Sequence, residues 1–292
     1  MKKIDMHIHI VKEHGVTIPS NNETFCTPDE IFDKYNDLGV EKAVLLPLVS
    51  PEARWQMVTT EEEIEIYHKY QDKFYLFCNV DPRVGMHSSK TDLSYFLEYY
   101  KDKGAKGVGE ITINLPFNHP MVENLFKHCE IQKMPVLFHI SPKEYYSYGL
   151  VDRLGLPLLE EELNKYPNLI FIGHSQPFWA EMSSDITEDM RNSYPTGKVN
   201  EGRIPKLMRK YDNLYADLSA GSGLNALSRD PEFGYNFIEE FQDRIFFGTD
   251  ICSKYENNNL SFWLDFAFDN GKISKTAYEK VCRLNALKIL EG

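Results

Sequence analysis

Short runs of apolar residues recur along the chain, each about as long as one strand, with amphipathic stretches between them. They read KIDMHIH (3–9), KAVLLPL (42–48), FYLFCNV (74–80), AKGVGEI (105–111), PVLFHI (135–140), NLIFIGH (168–174), NLYADLS (213–219) and RIFFGTD (244–250). Several lack the strict alternation of a half-exposed strand, and near-continuous apolar runs predict strands covered on both faces, as in a parallel sheet. The stretches 27–39, 61–73, 91–104, 119–133, 155–167 and 231–244 carry apolar residues at three- and four-residue spacing, the period of a helix, and 274–292 closes the chain in the same way. The first of them is fully punctuated. Thr27 serves as N-cap, Pro28 takes the first helical position, Asp29 and Glu30 fill the first turn, and Gly39 stops the helix.

Eight strands alternating with helices predict an α/β fold, a single closed (β/α)8 barrel of the TIM type, spanning 1–292 as one domain. A doubly wound open sheet is the alternative, but no glycine-rich phosphate loop follows an early strand. The longest gap between strands contains 176–203. Its WAEMSSDITEDM portion predicts a helix, and its YPTGKVNEGR portion an irregular cap. Segment 49–60, with Arg54 and Trp55, is a second cap candidate.

Composition narrows the function classes. The chain has 292 residues, 42% of them hydrophobic and 13% aromatic, enough for a sizeable core. A formal net charge of −12, spread along the chain, argues against nucleic acid as a partner and leaves small anionic substrates open. Five Cys without a CxxC pair read as free thiols in a reducing compartment. The start MKKIDMHIHI lacks the apolar stretch of a secretory signal, and no window reaches the length of a membrane span, so a cytoplasmic protein with no membrane partner is expected.

In such barrels, chemistry sits at the C-terminal ends of the strands. Here those ends carry His7 and His9, Glu110, His139, His174 and Asp250. Residues i and i+2 of a strand point the same way, so His7 and His9 can share one cation. Imidazole and carboxylate together suit Zn2+ or a similar divalent ion. Five other histidines, His14, His68, His87, His119 and His128, fall in helices or loops and carry no such expectation.

The DxHxH start, the single His after strands five and six and the Asp after strand eight resemble the amidohydrolase superfamily. The closing RLNALKIL (283–290) is similar to the ending of its amidohydrolase-related group, which includes aminocarboxymuconate-semialdehyde decarboxylase and dicarboxylate lactonases. The resemblance implies that His7 and His9 form the first metal pair, that His139 is a further ligand, and that His174 is a second-site ligand or a catalytic group. Asp250 is implied as ligand and proton shuttle. Many relatives carry a carbamylated Lys on strand four; this chain has Gly109-Glu110-Ile111 instead, similar to TatD-type deoxyribonucleases in which the Glu bridges two metals. Glu110 is therefore either a metal bridge, a buried structural carboxylate or a substrate contact, and one ion or two stays open.

The implied activity is metal-dependent hydrolysis of a small, carboxylate-bearing amide, lactone or ester, with Asp250 and His174 as catalytic residues. The same ligands serve nonoxidative decarboxylation in this superfamily. A TatD-like nuclease and a barrel without catalysis are the remaining alternatives. Arg54, Arg83 and Arg203 are candidates for holding a substrate carboxylate, because a guanidinium fork matches that anion. Trp55, Phe178, Trp179 and Tyr194 are candidate pocket walls, with Trp179 the substrate-binding choice. Asp5 is expected to support the His7–His9 pair, and Asp217 either orients a neighbouring ligand or caps a loop. A homodimer fits this class of barrel, although no interface is legible in the sequence.

Overall fold

The computed structural model describes residues 1–17, 22–52, 56–256 and 259–292. Eight parallel strands follow one another in chain order around the sheet: β1 (Lys3–Ile8), β2 (Val40–Leu45), β3 (Phe74–Cys78), β4 (Ala105–Ile111), β5 (Val136–Ser141), β6 (Phe171–His174), β7 (Leu214–Asp217) and β8 (Ile245–Phe246). A two-residue strand, Leu150–Val151, pairs with β5 outside this circuit. The circuit closes through backbone bonds beyond the short β8. Met6 N donates to Phe247 O (3.0 Å), Asp250 N to His7 O (2.8 Å) and His9 N to Ile251 O (3.3 Å). The result is a single (β/α)8 barrel, and its closure sets His7 and His9 beside Asp250.

Two apolar layers hold the barrel. Ile4, Met6, Val44, Leu46, Phe77, Leu137, Ile172 and Phe246 come from six strands and meet inside it, with Ala286 and Leu290 of the C-terminal helix. A larger set, including Ile8, Leu45, Val108 and Phe138, packs outward against the helices. Strict alternation would send His7 and His9 to the face opposite Ile4 and Met6. The pairing of β1 with β2 shifts register between Asp5 and Ile8, which lets both pairs face inward. The closing RLNALKIL has a physical role here: Asn285 Nδ2 donates to Gln242 O (2.7 Å) and Ile245 O (2.8 Å), tying the last helix to the start of β8.

The first helix forms as punctuated, Pro28–Leu38, with Gly39 at φ 69. The WAEMSSDITEDM helix does not form. A short helix spans Gln176–Ala180, and only Glu188–Met190 adds a 3-10 turn. Tertiary contacts outweigh local propensity: Ser184 N donates to Asn200 O (2.7 Å), Ser183 bridges Glu201, and Arg191 is buried against Glu181. Helices Arg203–Lys210, Ala220–Ser228 and Leu260–Asp269 also form without having been expected.

Candidate metal centre

The strand-end residues converge. His7 Nε2 lies 2.9 Å from His9 Nε2. Asp250 Oδ1 is 3.4 Å from the former and 3.5 Å from the latter, and its Oδ2 is 3.6 Å from His174 Nε2. Glu110 Oε2 is 3.3 Å from His9 Nε2 and 3.8 Å from His7 Nε2, while its Oε1 is 4.0 Å from His174 Nε2. Two sets of donor atoms, His7–His9–Asp250 and His7–Glu110–His174, each fall within 4.8 Å of one another. His139 joins through Glu110, its Nδ1 being 2.8 Å from Oε1.

The far edges of the other imidazoles fix their tautomers. His7 Nδ1 meets Asp217 Oδ2 at 2.6 Å and His9 Nδ1 meets Leu46 O at 2.8 Å. Carboxylates and carbonyls only accept, so these Nδ1 atoms carry the protons. His174 Nδ1 meets Ser219 Oγ at 2.9 Å, and Ser219 donates its own hydrogen to Asp217 Oδ2 at 2.6 Å. The neutral rings of His7, His9 and His174 therefore each present a lone pair at Nε2, the form that ligates metal. Two such lone pairs 2.9 Å apart repel unless a cation or proton lies at them.

The electrostatics make the same demand. Burial by itself lowers the His7 pKa, but Asp250, Asp217 and Glu110 outweigh it and raise the value to about 10. Burial pushes the carboxyls up, yet His139, His9 and His7 hold Glu110 well below the usual carboxylate range, and His7, His174 and His9 do so for Asp250. Burial lowers His139 despite Glu110 beside it. Nitrogen and oxygen donors, buried and net negative, fit a divalent ion.

The supporting frame is rigid. Asp5 accepts from His7 N (3.0 Å), Thr249 N (2.8 Å), Thr249 Oγ1 (2.5 Å) and Tyr35 Oη (2.7 Å). Burial nevertheless raises its pKa to about 6 against these bonds. Gly248 is obligatory, since a Cβ there would sit 2.4 Å from Asp217 Oδ1. Ser175 (φ 110), Ala220 (φ 61) and Asp250 (φ 55) hold left-handed backbone beside His174, beside Ser219 and at the acid itself. Strain of about 1–3 kcal/mol per such residue is typical of sites whose geometry is imposed by the surrounding fold.

A cavity of about 500 Å3 opens over His139, His174 and Asp250. Tyr194 lines it as expected, along with Tyr148, whose ring lies 4.2 Å from that of His139. The other substrate candidates require correction. Trp179 is 2% exposed and packs against Phe178 and Phe237, and its Nε1 donates to Asp217 O at 2.9 Å. It backs Asp217 and does not reach the cavity. Phe178 is buried beneath Gly173. Arg203 points away: its Nε donates to Gly155 O (2.8 Å) and its Nη2 pairs with Glu160. Arg83 is held by Asp81 and Glu52. Arg54 and Trp55 lie outside the described residues. Ser219 carried no expectation, although it stands two positions after Asp217, the same spacing that singles out His7 and His9.

A family model described as amidohydrolase matches residues 4–292. No curated protein matches the sequence. Among solved structures, an uncharacterised TIM-barrel protein from Bordetella bronchiseptica superposes with a TM-score of 0.66 at 17% identity, covering 100% of this chain and 99% of that one. A probable 2-pyrone-4,6-dicarboxylic acid hydrolase from Acinetobacter baumannii, with citric acid bound, gives 0.60 at 15% identity and covers 100% of both chains. A dihydroxybenzoic acid decarboxylase from Polaromonas, with bound manganese and 2-nitroresorcinol, gives 0.57 at 15% identity, covering 99% of this chain and 97% of that one. At these identities the structural likeness speaks to the fold. Among the described residues, no helix is long and apolar enough to cross a membrane.

Proposed function

The chain belongs to the amidohydrolase family, and we propose that it is a metal-dependent hydrolase of a small amide, lactone or ester, with zinc as its ion. The family is one of enzymes whose members bind a divalent metal. The observation that carries the reading is the position of Asp250. One carboxylate reaches the His7–His9 pair with Oδ1 and His174 with Oδ2.

His7, His9, Glu110, His139, His174 and Asp250 would hold the metal. When bound there, a divalent ion acidifies water and polarises a carbonyl. Asp250 takes the proton of the attacking water and returns it to the leaving group. His174 faces the same carboxylate, its Nε2 3.6 Å from Oδ2, and would help to polarise the substrate carbonyl. Asp217 and Ser219 lock His7 and His174 in the required tautomers. The substrate is a small molecule and not nucleic acid. The net charge is −12, and among the described residues lining the cavity none is Lys or Arg.

The same observation favours a second reading, nonoxidative decarboxylation. A cavity wall without Lys or Arg leaves the histidine cluster as the place for a substrate carboxylate. The Polaromonas neighbour is a decarboxylase. Turnover of a panel of lactones, aryl esters, amides and arenecarboxylates by zinc-loaded protein separates the two. Hydrolysis releases acid without CO2, and a chelator abolishes it. Release of CO2 instead establishes the decarboxylase, and undiminished turnover after metal removal overturns both.

Glu110 bears on the number of ions. Its two oxygens face different histidines, so Glu110→Gln is expected to lower bound zinc from two equivalents toward one, as for a carboxylate bridge. Elemental analysis of protein at known concentration is the check. Unchanged stoichiometry would mean a one-metal site in which Glu110 orients His139.

A further inference from the structure

We infer that the cavity selects substrates carrying no negative charge beyond the group delivered to the histidine cluster, the rest being an uncharged apolar or amide-bearing body, and that it rejects polycarboxylates. This rests on the metal-site reading above and adds to it a substrate class. A cavity of about 500 Å3 suits a molecule of one ring with small substituents. Its described wall divides into apolar surface from Leu224, Ile251 and Leu260, aromatic surface from Tyr148 and Tyr194, and neutral polar groups such as Gln176.

The only acid on that described wall apart from Asp250 is Glu256. Its Oε2 accepts from Cys252 N at 2.7 Å and from Ser253 N at 3.3 Å, which holds the side chain in place on that wall. A second substrate carboxylate would enter a partly desolvated space beside that anion and beside Asp250. No described Lys or Arg lines the space to meet it. Of the three candidate arginines, Arg83 is engaged with Asp81 and Glu52 and Arg203 with Glu160 and the Gly155 carbonyl, while Arg54 lies outside the described residues. A first anionic group does not meet this obstacle, because it would enter on the side of the histidine cluster, where a bound divalent ion would offset its charge.

The test uses three hydroxamates that chelate divalent metal and differ at one position: benzohydroxamic acid, its 4-carbamoyl derivative and its 4-carboxy derivative. Calorimetric titration of zinc-loaded protein at neutral pH is expected to give similar affinities for the first two. The 4-carboxy compound should bind at least tenfold more weakly than the 4-carbamoyl compound, which matches it in size and polarity. In Glu256→Gln the gap should narrow at least threefold. Equal or tighter binding of the 4-carboxy compound by the unaltered protein would overturn the proposal, and an undiminished gap in the variant would overturn Glu256 as its source. Failure of the metal-site reading has a different signature: benzohydroxamic acid would then bind equally well after zinc removal, or bind neither form.

Discussion

Asp250→Asn is expected to lower kcat by about 10²–10⁴-fold, the range associated with loss of a positioned general base, while leaving the barrel folded. The two consequences separate because the residue holds its place by backbone and acts by side chain. Its N donates to His7 O at 2.8 Å, a bond that Asn keeps. Its φ of 55 lies in the left-handed region, which Asn tolerates as readily as Asp. The carboxamide retains one acceptor toward the His7–His9 pair, but it cannot accept a proton from water. His7→Ala removes turnover by another route, since it deletes a donor common to both converging sets. Its bound zinc should fall along with its activity, whereas Asp250→Asn should keep more of the metal than of the activity. Steady-state kinetics with elemental analysis on the same samples, and near-ultraviolet circular dichroism for the fold, provide the comparison. Full activity in either variant would refute the assignment.

The barrel is legible because its strands are buried on both faces, so each registers as an apolar run whatever surrounds it. The six candidate donors are legible because they sit at strand ends, where the fold offers few positions and chemistry uses them. Legibility ends where partners are distant in sequence. Arg203 has the residue type for a carboxylate site, but its partner Glu160 lies 43 positions away and nothing local announces it. Trp179 follows a strand that ends in His174, yet a ring at that position can face the cavity or the outer layer. The short helix Gln176–Ala180 turns it toward Asp217. The helix expected over 179–190 fails for a related reason. Arg191 and Glu181 form a buried pair that draws the segment inward, a choice made by tertiary contacts. Ser219 differs in kind. Its position two residues beyond Asp217 is visible in the sequence, but a serine draws notice only once Asp217 is known to hold His7.

Asp5 shows how far the site depends on a residue that touches neither substrate nor metal. Its carboxylate joins the N-terminal strand, the first helix and the turn that carries Asp250, through His7 N, Tyr35 Oη and both donors of Thr249. Asp5→Ala leaves these buried donors without an acceptor. One such buried orphan costs about 1–3 kcal/mol, and several donors are orphaned together here. The unfolding free energy from urea titration is therefore expected to fall by about 3–5 kcal/mol, a large share of the ~5–15 kcal/mol that keeps a domain folded. Asp5→Asn should lose less than half as much. Its carbonyl oxygen still accepts from His7 N and Thr249 N, and the Tyr35 and Thr249 hydroxyls can rotate to accept from its amide. The two variants also bear on catalysis, because Thr249 immediately precedes Asp250. If the turn places the acid, turnover in Asp5→Ala should fall well below the folded fraction, and Asp5→Asn should recover most of it. Equal unfolding midpoints for Asp5→Ala and the unaltered protein would remove Asp5 from this role, whatever the geometry around it.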